Sequence, residues 1–191
     1  PELQADINWD KLPTTAPLTT LPAKYLTDQL LSHVAELTRV EMAGRGIGSD
    51  GIEAAAAYIA REFRAAGIEP LSRSYTQTWI EQIDAENKGE EESAVQLSNV
   101  FGVILGSDPN LSGQPLVVGA HFDHLGVSAS GEIFPGADDN ASGVAIMLEV
   151  AAKLNSSFAP QRPIIFVAFT GEEKGLLGSQ YFLDNLPSVY N

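Results

Sequence analysis

Short apolar runs alternate with helix-length segments from residue 97 onward, and this alternation constrains the fold more than any other feature of the sequence. Three runs are rich in β-branched or aromatic residues, which is typical of strands buried on both faces. They span residues 99–105, 115–120 and 163–169. Between the last two runs, residues 141–154 carry an apolar stripe at helical spacing, and a second helix is predicted over residues 174–183. The pattern predicts an α/β sandwich with a mixed, largely parallel sheet.

Two helices are predicted in the first third of the chain. Leucine and valine at helical spacing predict the first over residues 26–40, in which His33 is expected to be a solvated helix residue. Asp50 and Glu53 form a capping-box pattern that predicts the start of the second helix, which runs through Phe63.

The segments around these helices are predicted from their composition. Residues 1–25 contain several prolines and threonines and are expected to form an extended N-terminal arm. Glycines predict a loop at residues 44–48, and strand-forming bulk predicts an extended segment at residues 73–83. Residues 84–93 are acidic and aperiodic, which is typical of a solvated loop.

Composition narrows the possible classes of function. The chain has 191 residues, of which 44% are hydrophobic, so it can bury a sizeable core, and it contains no apolar run long enough to span a membrane. Its 25 acidic and 11 basic residues give a net charge of −14, which argues against nucleic-acid or anionic-membrane partners. Cysteine is absent, so a disulfide framework, a thiol nucleophile and a cysteine-based zinc site are excluded.

Three polar motifs follow or flank the apolar runs. They are His121-Phe-Asp123-His124, the segment 136–143 with Asp138, Asp139 and Asn140, and the segment 170–175 with Glu172 and Glu173. The first and third follow predicted strands, and the second precedes the connecting helix. All three should therefore meet at the carboxyl edge of the sheet, where open α/β folds bind their ligands.

This set of side chains has the chemistry of a metal-dependent hydrolase. A neutral imidazole and several carboxylates suit zinc, and a further carboxylate can take a proton from the attacking water. Glu172 and Glu173 are adjacent and should point in different directions, so one can hold metal while the other faces water. Asp123 is well placed to accept the second N–H of His121 and fix its tautomer.

Each motif also has a simpler interpretation. A single His-x-Asp pair is more often part of a surface loop, and Glu-Glu or Asp-Asp-Asn is more often a solvated helix start or a cap. Three such motifs in this order favour the metal site over three coincidences. His124 and Asp138 are interpreted as residues that support the site or the fold.

The three motifs resemble those of the co-catalytic di-zinc peptidases of clan MH. This family includes secreted bacterial aminopeptidases, glutamate carboxypeptidases and, as a divergent branch, glutaminyl cyclases. The resemblance is densest over residues 97–183, and Gly44-Arg45-Gly46 with the following helix also resembles the family's N-terminal region. It implies a three-layer α/β/α sandwich of the phosphorylase/hydrolase type.

The resemblance also implies roles for individual residues. His121 would bind one zinc ion, Glu173 would bind the other, and Asp139 would bridge the two. Glu172 would be the general base, and Asp123 would orient His121. A cis peptide bond is implied between Asp139 and Asn140.

The chain departs from the family pattern in its ligand count. The family uses five protein ligands, and the last two, an Asp and a late His, are expected beyond Asn191. Residues 26–191 are therefore interpreted as the N-terminal portion of a zinc peptidase domain, truncated at its C-terminal side, with weak or partial zinc occupancy. Such a piece is expected to be inactive alone, and to self-associate or pair with the missing C-terminal portion.

For the complete protein the resemblance implies an exported aminopeptidase that hydrolyses the N-terminal peptide bond of a peptide substrate. Two alternatives stay open: a glutaminyl cyclase-like acyltransferase, and a non-catalytic interaction domain derived from a peptidase. The motif containing Asp139 and the Glu172-Glu173 pair fit the aminopeptidase branch better than the cyclase branch. Imidazole and oxygen ligands also suit manganese or cobalt.

Overall fold

A computed structural model describes residues 27–83, 93–157 and 159–186, which form a sheet with helices on both faces. The strands are β1 (Thr76–Ile83), β2 (Ser93–Ile104), β3 (Leu116–His121) and β4 (Ile164–Phe169). The helices are α1 (Thr27–Leu37), α2 (Asp50–Ala65), α3 (Ser142–Ser157) and α4 (Leu177–Asp184). The predicted arm at 1–25 and residues 84–92 of the predicted acidic loop lie outside the described residues. Across the described part of the chain, none of the helices combines the length and apolarity that a membrane span requires.

The four strands lie in the order β1-β2-β4-β3 and form a mixed sheet, as predicted. β3 and β4 are parallel, whereas β2 pairs antiparallel with both β1 and β4, so the described sheet is mixed but not largely parallel as predicted. β4 lies inside the sheet and is buried from Ile164 to Ala168. β3 lies at the edge of the sheet, so the prediction that it is buried on both faces is wrong. Leu116 and Val117 are 53% and 43% exposed.

Apolar clusters on the two faces of the sheet produce the three layers that the family resemblance implied. On one face, α2 and α3 pack against β2 and β4, through side chains such as Phe63, Leu148 and Phe166. On the other face, Phe182 of α4 packs with Phe101 of β2 and with neighbouring β4 residues. The sandwich leaves the carboxyl ends of β3 and β4 accessible between the layers.

The helix starts differ from their predictions for local reasons. Ser49, not Asp50, is the N-cap of α2, because its backbone is extended and its Oγ accepts a hydrogen bond from the N–H of Ile52 at 3.3 Å. α4 begins three residues later than predicted. The N–H groups of Gly175 and Leu176 donate to the carbonyl oxygen of Glu172 and form a separate turn first.

His33 is buried, and its prediction as a solvated residue is wrong. Its Nδ1 is hydrogen-bonded to the hydroxyl of Tyr58 on α2, and its Nε2 lies 3.2 Å from Oε1 of Glu149 on α3. The three helices pack together on one face of the sheet, so the polar face of α1 meets polar partners instead of water. Periodicity of the apolar residues alone did not reveal these partners.

Candidate metal centre

The parallel pairing of β3 and β4 brings the first and third motifs together. His121 is the last residue of β3 and pairs with Phe169, the last residue of β4. The N–H of Phe122 donates to the carbonyl oxygen of Phe169 at 2.9 Å and continues the pairing past the strand ends. The histidine motif and the Glu172-Glu173 turn therefore leave the sheet side by side, as predicted.

Asp139 lies between the two histidines of the first motif. Its Oδ1 is 3.1 Å from Nε2 of His121, and its Oδ2 is 3.8 Å from Nδ1 of His124. Both imidazoles are largely buried, whereas the Asp139 side chain is 62% exposed. The two oxygens of one carboxylate thus face different imidazoles, which is the arrangement required of a bridging ligand.

Glu172 and Glu173 point to different sides of this carboxylate. Glu173 Oε1 lies 2.8 Å from Nδ1 of His124, and both residues line a cavity of about 510 Å³. Glu172 instead lines a second cavity, of about 270 Å³, together with His121. The divergence expected of adjacent residues after a strand is present, and each glutamate is associated with a different histidine.

Asp123 is fully buried behind His121. Its Oδ2 accepts a hydrogen bond from the backbone N–H of Glu173 at 3.2 Å. Its Oδ1 has no hydrogen-bond partner among the described residues, and it lies 3.7 Å from Nδ1 of His121. The Asp123 carboxylate, which is the largest influence, raises the pKa of His121 from 6.5 to about 8 against the opposing effect of burial. Nδ1 of His121 is hydrogen-bonded to the backbone carbonyl oxygen of Asp123 at 3.3 Å, so the same residue faces the ring through both its backbone and its side chain.

In the segment before α3, the residue that caps the helix is not the candidate metal ligand Asp139 but its neighbour Asn140. Oδ1 of Asn140 accepts a hydrogen bond from the N–H of Gly143 at 3.0 Å, so Asn140 supplies the side chain that caps the helix start. Asp138 is exposed, and its carbonyl oxygen accepts from Ser142 Oγ. The peptide bond between Asp139 and Asn140 is cis, as the resemblance implied.

Arg45 is a supporting residue whose role sequence reasoning missed. It is fully buried, and its guanidinium donates to four backbone carbonyl oxygens at 2.6 to 2.8 Å. Those oxygens belong to Leu37, Phe122, Pro135 and Gly136. Burial lowers the pKa of Arg45, while the negative charges of Asp123 and Asp139 act in the opposite direction. Its position between two glycines was the available signal, because a Cβ at Gly44 would lie 2.4 Å from the carbonyl oxygen of Gly126.

Asn99 supports the glutamate turn in the same way and was also missed. It is fully buried on β2, its Oδ1 accepts from the N–H of Thr170 at 3.2 Å, and its Nδ2 donates to the carbonyl oxygen of Gly178 at 2.8 Å. These bonds fix both ends of the turn that carries Glu172 and Glu173. An asparagine at the start of an apolar run was the only sign of this role.

The residues present fit a metal ion of the zinc type. Ligand atoms of His124, Asp139 and Glu173 all lie within 4.8 Å of one another, and His121 Nε2 faces the other oxygen of Asp139. Imidazole nitrogen and carboxylate oxygen are ligands that zinc accepts. The buried Oδ1 of Asp123, 3.7 Å from Nδ1 of His121, lies where a metal-binding histidine usually has an outer carboxylate partner.

The sandwich and its imidazole–carboxylate cluster define an α/β protein with a candidate metal site at the carboxyl edge of a mixed sheet. A sequence profile of peptidase family M28 matches residues 99–190, so this part of the chain is similar to that family. It is 35% identical over 147 residues to a probable zinc metalloprotease of Pyrenophora teres, covering 73% of this chain and 29% of that protein. It is 45% identical over 69 residues to the aminopeptidase YwaD of Bacillus subtilis, covering 36% of this chain and 14% of that protein.

The fold is shared with solved structures of low sequence identity. A leucine aminopeptidase precursor of Bacteroides thetaiotaomicron superposes with a TM-score of 0.66 at 20% identity, covering 88% of this chain and 60% of that chain. The chain thus spans less than a third of the length of these two relatives and under two thirds of this structural neighbour.

Proposed function

We propose that the protein carrying this sequence is a zinc aminopeptidase that hydrolyses the N-terminal peptide bond of a peptide. The observation that supports it most is the divergence of Glu172 and Glu173 around Asp139, which separates a residue able to hold metal from one able to handle a proton. The match to the M28 profile and the names of the two relatives support the same reaction class.

The residues of the centre divide the work of peptide hydrolysis. His121, Asp139 and Glu173 would hold zinc, which supplies Lewis acidity to polarise a carbonyl and lower the pKa of water. Glu172, on the His121 side, would accept the proton of the attacking water on a carboxylate oxygen and donate it to the leaving amine. Asp123 would hold the His121 ring in place through Nδ1.

The number of candidate metal ligands supports low peptidase activity for residues 1–191 alone. Within the ranges 27–83, 93–157 and 159–186, no third ligand group accompanies His121 and Asp139 on their side of the centre. A catalytic zinc ion usually has three protein ligands. We therefore propose partial metal occupancy on that side, with two ions bound only when further ligands are supplied.

We also propose what the protein binds and where it acts. The substrate would be a peptide, with no nucleic acid or membrane span involved, and export from the cytoplasm accords with the resemblance to secreted relatives. Exposed Leu116 and Val117 on edge strand β3 support self-association or pairing with a complementary segment.

The test is turnover of paired substrates by the zinc-loaded protein. Aminoacyl-p-nitroanilides and short peptides with a free N-terminus should be cleaved, and the same peptides with an acetylated N-terminus should resist. Cyclisation of N-terminal glutamine without hydrolysis would replace this proposal with the acyltransferase alternative. If a protein with a full set of metal-binding residues binds zinc but catalyses neither reaction, the non-catalytic domain is favoured.

A further inference from the structure

We propose that His124 is a direct metal ligand and that, with Asp139 and Glu173, it gives one zinc ion three protein ligands. This inference rests on the metal centre of the proposed function, but it adds a ligand that the resemblance does not include. It also changes the ligand count, since the Glu173 side of the centre would have three ligands and the His121 side two.

The distances suit a tetrahedral ion. Ligand atoms about 2.0 to 2.1 Å from a tetrahedral zinc are separated from one another by roughly 3.3 Å. Nδ1 of His124 lies 2.8 Å from Oε1 of Glu173 and 3.8 Å from Oδ2 of Asp139, so the two separations bracket that value. Shifts of about half an ångström in the side chains would make both equal.

The backbone holds the His124 ring in this position. Its N–H donates to the carbonyl oxygen of Arg45 at 3.2 Å, which fixes the start of the side chain. The ring packs against Gly136, where a Cβ would lie 2.6 Å from its Cγ and Cδ2. Gly136 has a φ of 56°, a conformation that glycine tolerates best. A residue placed this tightly is directed toward Asp139 and Glu173 with little freedom to turn away.

The two oxygens of Asp139 can then serve two unequal sites. Oδ2 would complete a three-ligand site with His124 and Glu173, leaving a fourth position open for water or substrate. Oδ1 would share a two-ligand site with His121. The first equivalent of zinc should therefore bind on the His124 side.

The first experiment reads the ligand directly. The chain with ¹⁵N-labelled histidine is titrated with zinc chloride, and the ring nitrogens are followed by long-range ¹H–¹⁵N NMR. We expect the first equivalent of zinc to shift Nδ1 of His124 and to leave its Nε2 protonated. An unchanged Nδ1 after one equivalent has bound would overturn the proposal without any substitution.

The second experiment separates ligation from a hydrogen bond to Glu173. His124→Asn places an amide N–H near the position of Nδ1, so it can still donate to Glu173 but is a poor zinc ligand. Loss of an outer partner typically weakens metal binding 10- to 100-fold, so loss of a ligand should weaken the first zinc by at least about 100-fold. Calorimetry on His121→Asn gives the matched control, in which the first equivalent should keep its affinity within a few-fold.

The outcomes distinguish this inference from the proposed function. His124→Asn with the affinity of the unsubstituted chain would mean that His124 only positions Glu173. Ligation by His124 in a protein that cleaves no peptide would retain this inference and reject the aminopeptidase. Thermal unfolding of each variant without metal shows whether a lost affinity reflects a lost fold.

Discussion

Nη2 of the buried Arg45 guanidinium donates to the carbonyl oxygen of Gly136 at 2.8 Å, three residues before Asp139 in the chain. Nε of the same side chain donates to the carbonyl oxygen of Phe122, between His121 and Asp123. The Arg45 side chain, on the segment before α2, therefore forms hydrogen bonds to both loops that carry the candidate ligands. The positions of those ligands depend on a residue that touches none of their side chains in a hydrogen bond.

Arg45→Lys should destabilise the metal-free protein by about 3 kcal/mol or more. Lysine cannot reproduce the planar fork, and at least two hydrogen bonds from a charged donor, each worth roughly 1.5 to 3 kcal/mol, would be lost. Urea unfolding without metal measures the free energy of unfolding. Arg39→Lys is the matched control, because Arg39 is half-exposed and solvent screens its ion pairs with Glu36 and Glu41, so this variant should keep nearly the stability of the unsubstituted chain. Equal stability of the two variants would contradict the structural role of Arg45.

Glu172→Ala and Glu173→Ala should have different consequences. The first should keep its zinc and lose at least about 10²-fold in kcat, because a general base contributes roughly that much. The second should lose zinc, since Glu173 carries a candidate ligand atom near His124. Metal analysis beside peptidase assays on both variants separates the two effects. A Glu172 variant with normal turnover would exclude its assignment as general base.

In the metal-free protein, His121 should titrate near pH 8. Because this pKa is above its ordinary value of 6.5, the protonated ring stabilises the folded state. That contribution is complete below pH 6.5 and is lost as the pH rises through 8. NMR titration of the ring protons measures the pKa, and Asp123→Asn should lower it by removing its largest cause. A value unchanged by this substitution would mean that another group holds the proton.

Patterns local in the sequence predicted most of the sheet and the ligand candidates. The runs at 115–120 and 163–169 became β3 and β4 with ends shifted by one residue, and their parallel pairing brought His121 and Glu173 to one edge. The start of β2 was missed by six residues, because Ser93 onward is held in the sheet by pairing with β1 and not by its own apolarity.

The residues that prediction missed act through distant backbone atoms. Arg45 donates to a carbonyl 91 positions away, and Asn99 accepts from an N–H 71 positions away. The sequence around Arg45 shows only a charged residue between glycines, and the sequence around Asn99 shows only an amide before an apolar run. Neither pattern specifies a distant partner. The prediction that His33 is solvated was wrong for the same reason, since its partners Tyr58 and Glu149 are on other helices. Contacts of this kind follow from the packed fold and cannot be deduced from periodicity.

Gly136→Ala should impair the metal centre more than its size suggests. The new Cβ would lie 2.4 Å from the carbonyl oxygen of Asp139 and 2.6 Å from the His124 ring, so both candidate ligands must move. We expect zinc affinity to fall by at least about 10-fold, together with a loss of stability of about 2 kcal/mol or more. Gly131→Ala is the matched control, because Gly131 also has a positive φ, 85°, but a Cβ there would have no neighbour within 4 Å. Both variants carry the backbone strain, and only the first crowds the ligands. Calorimetric zinc titration and urea unfolding of the pair separate the two effects, and equal zinc affinities would contradict the proposed placement of His124.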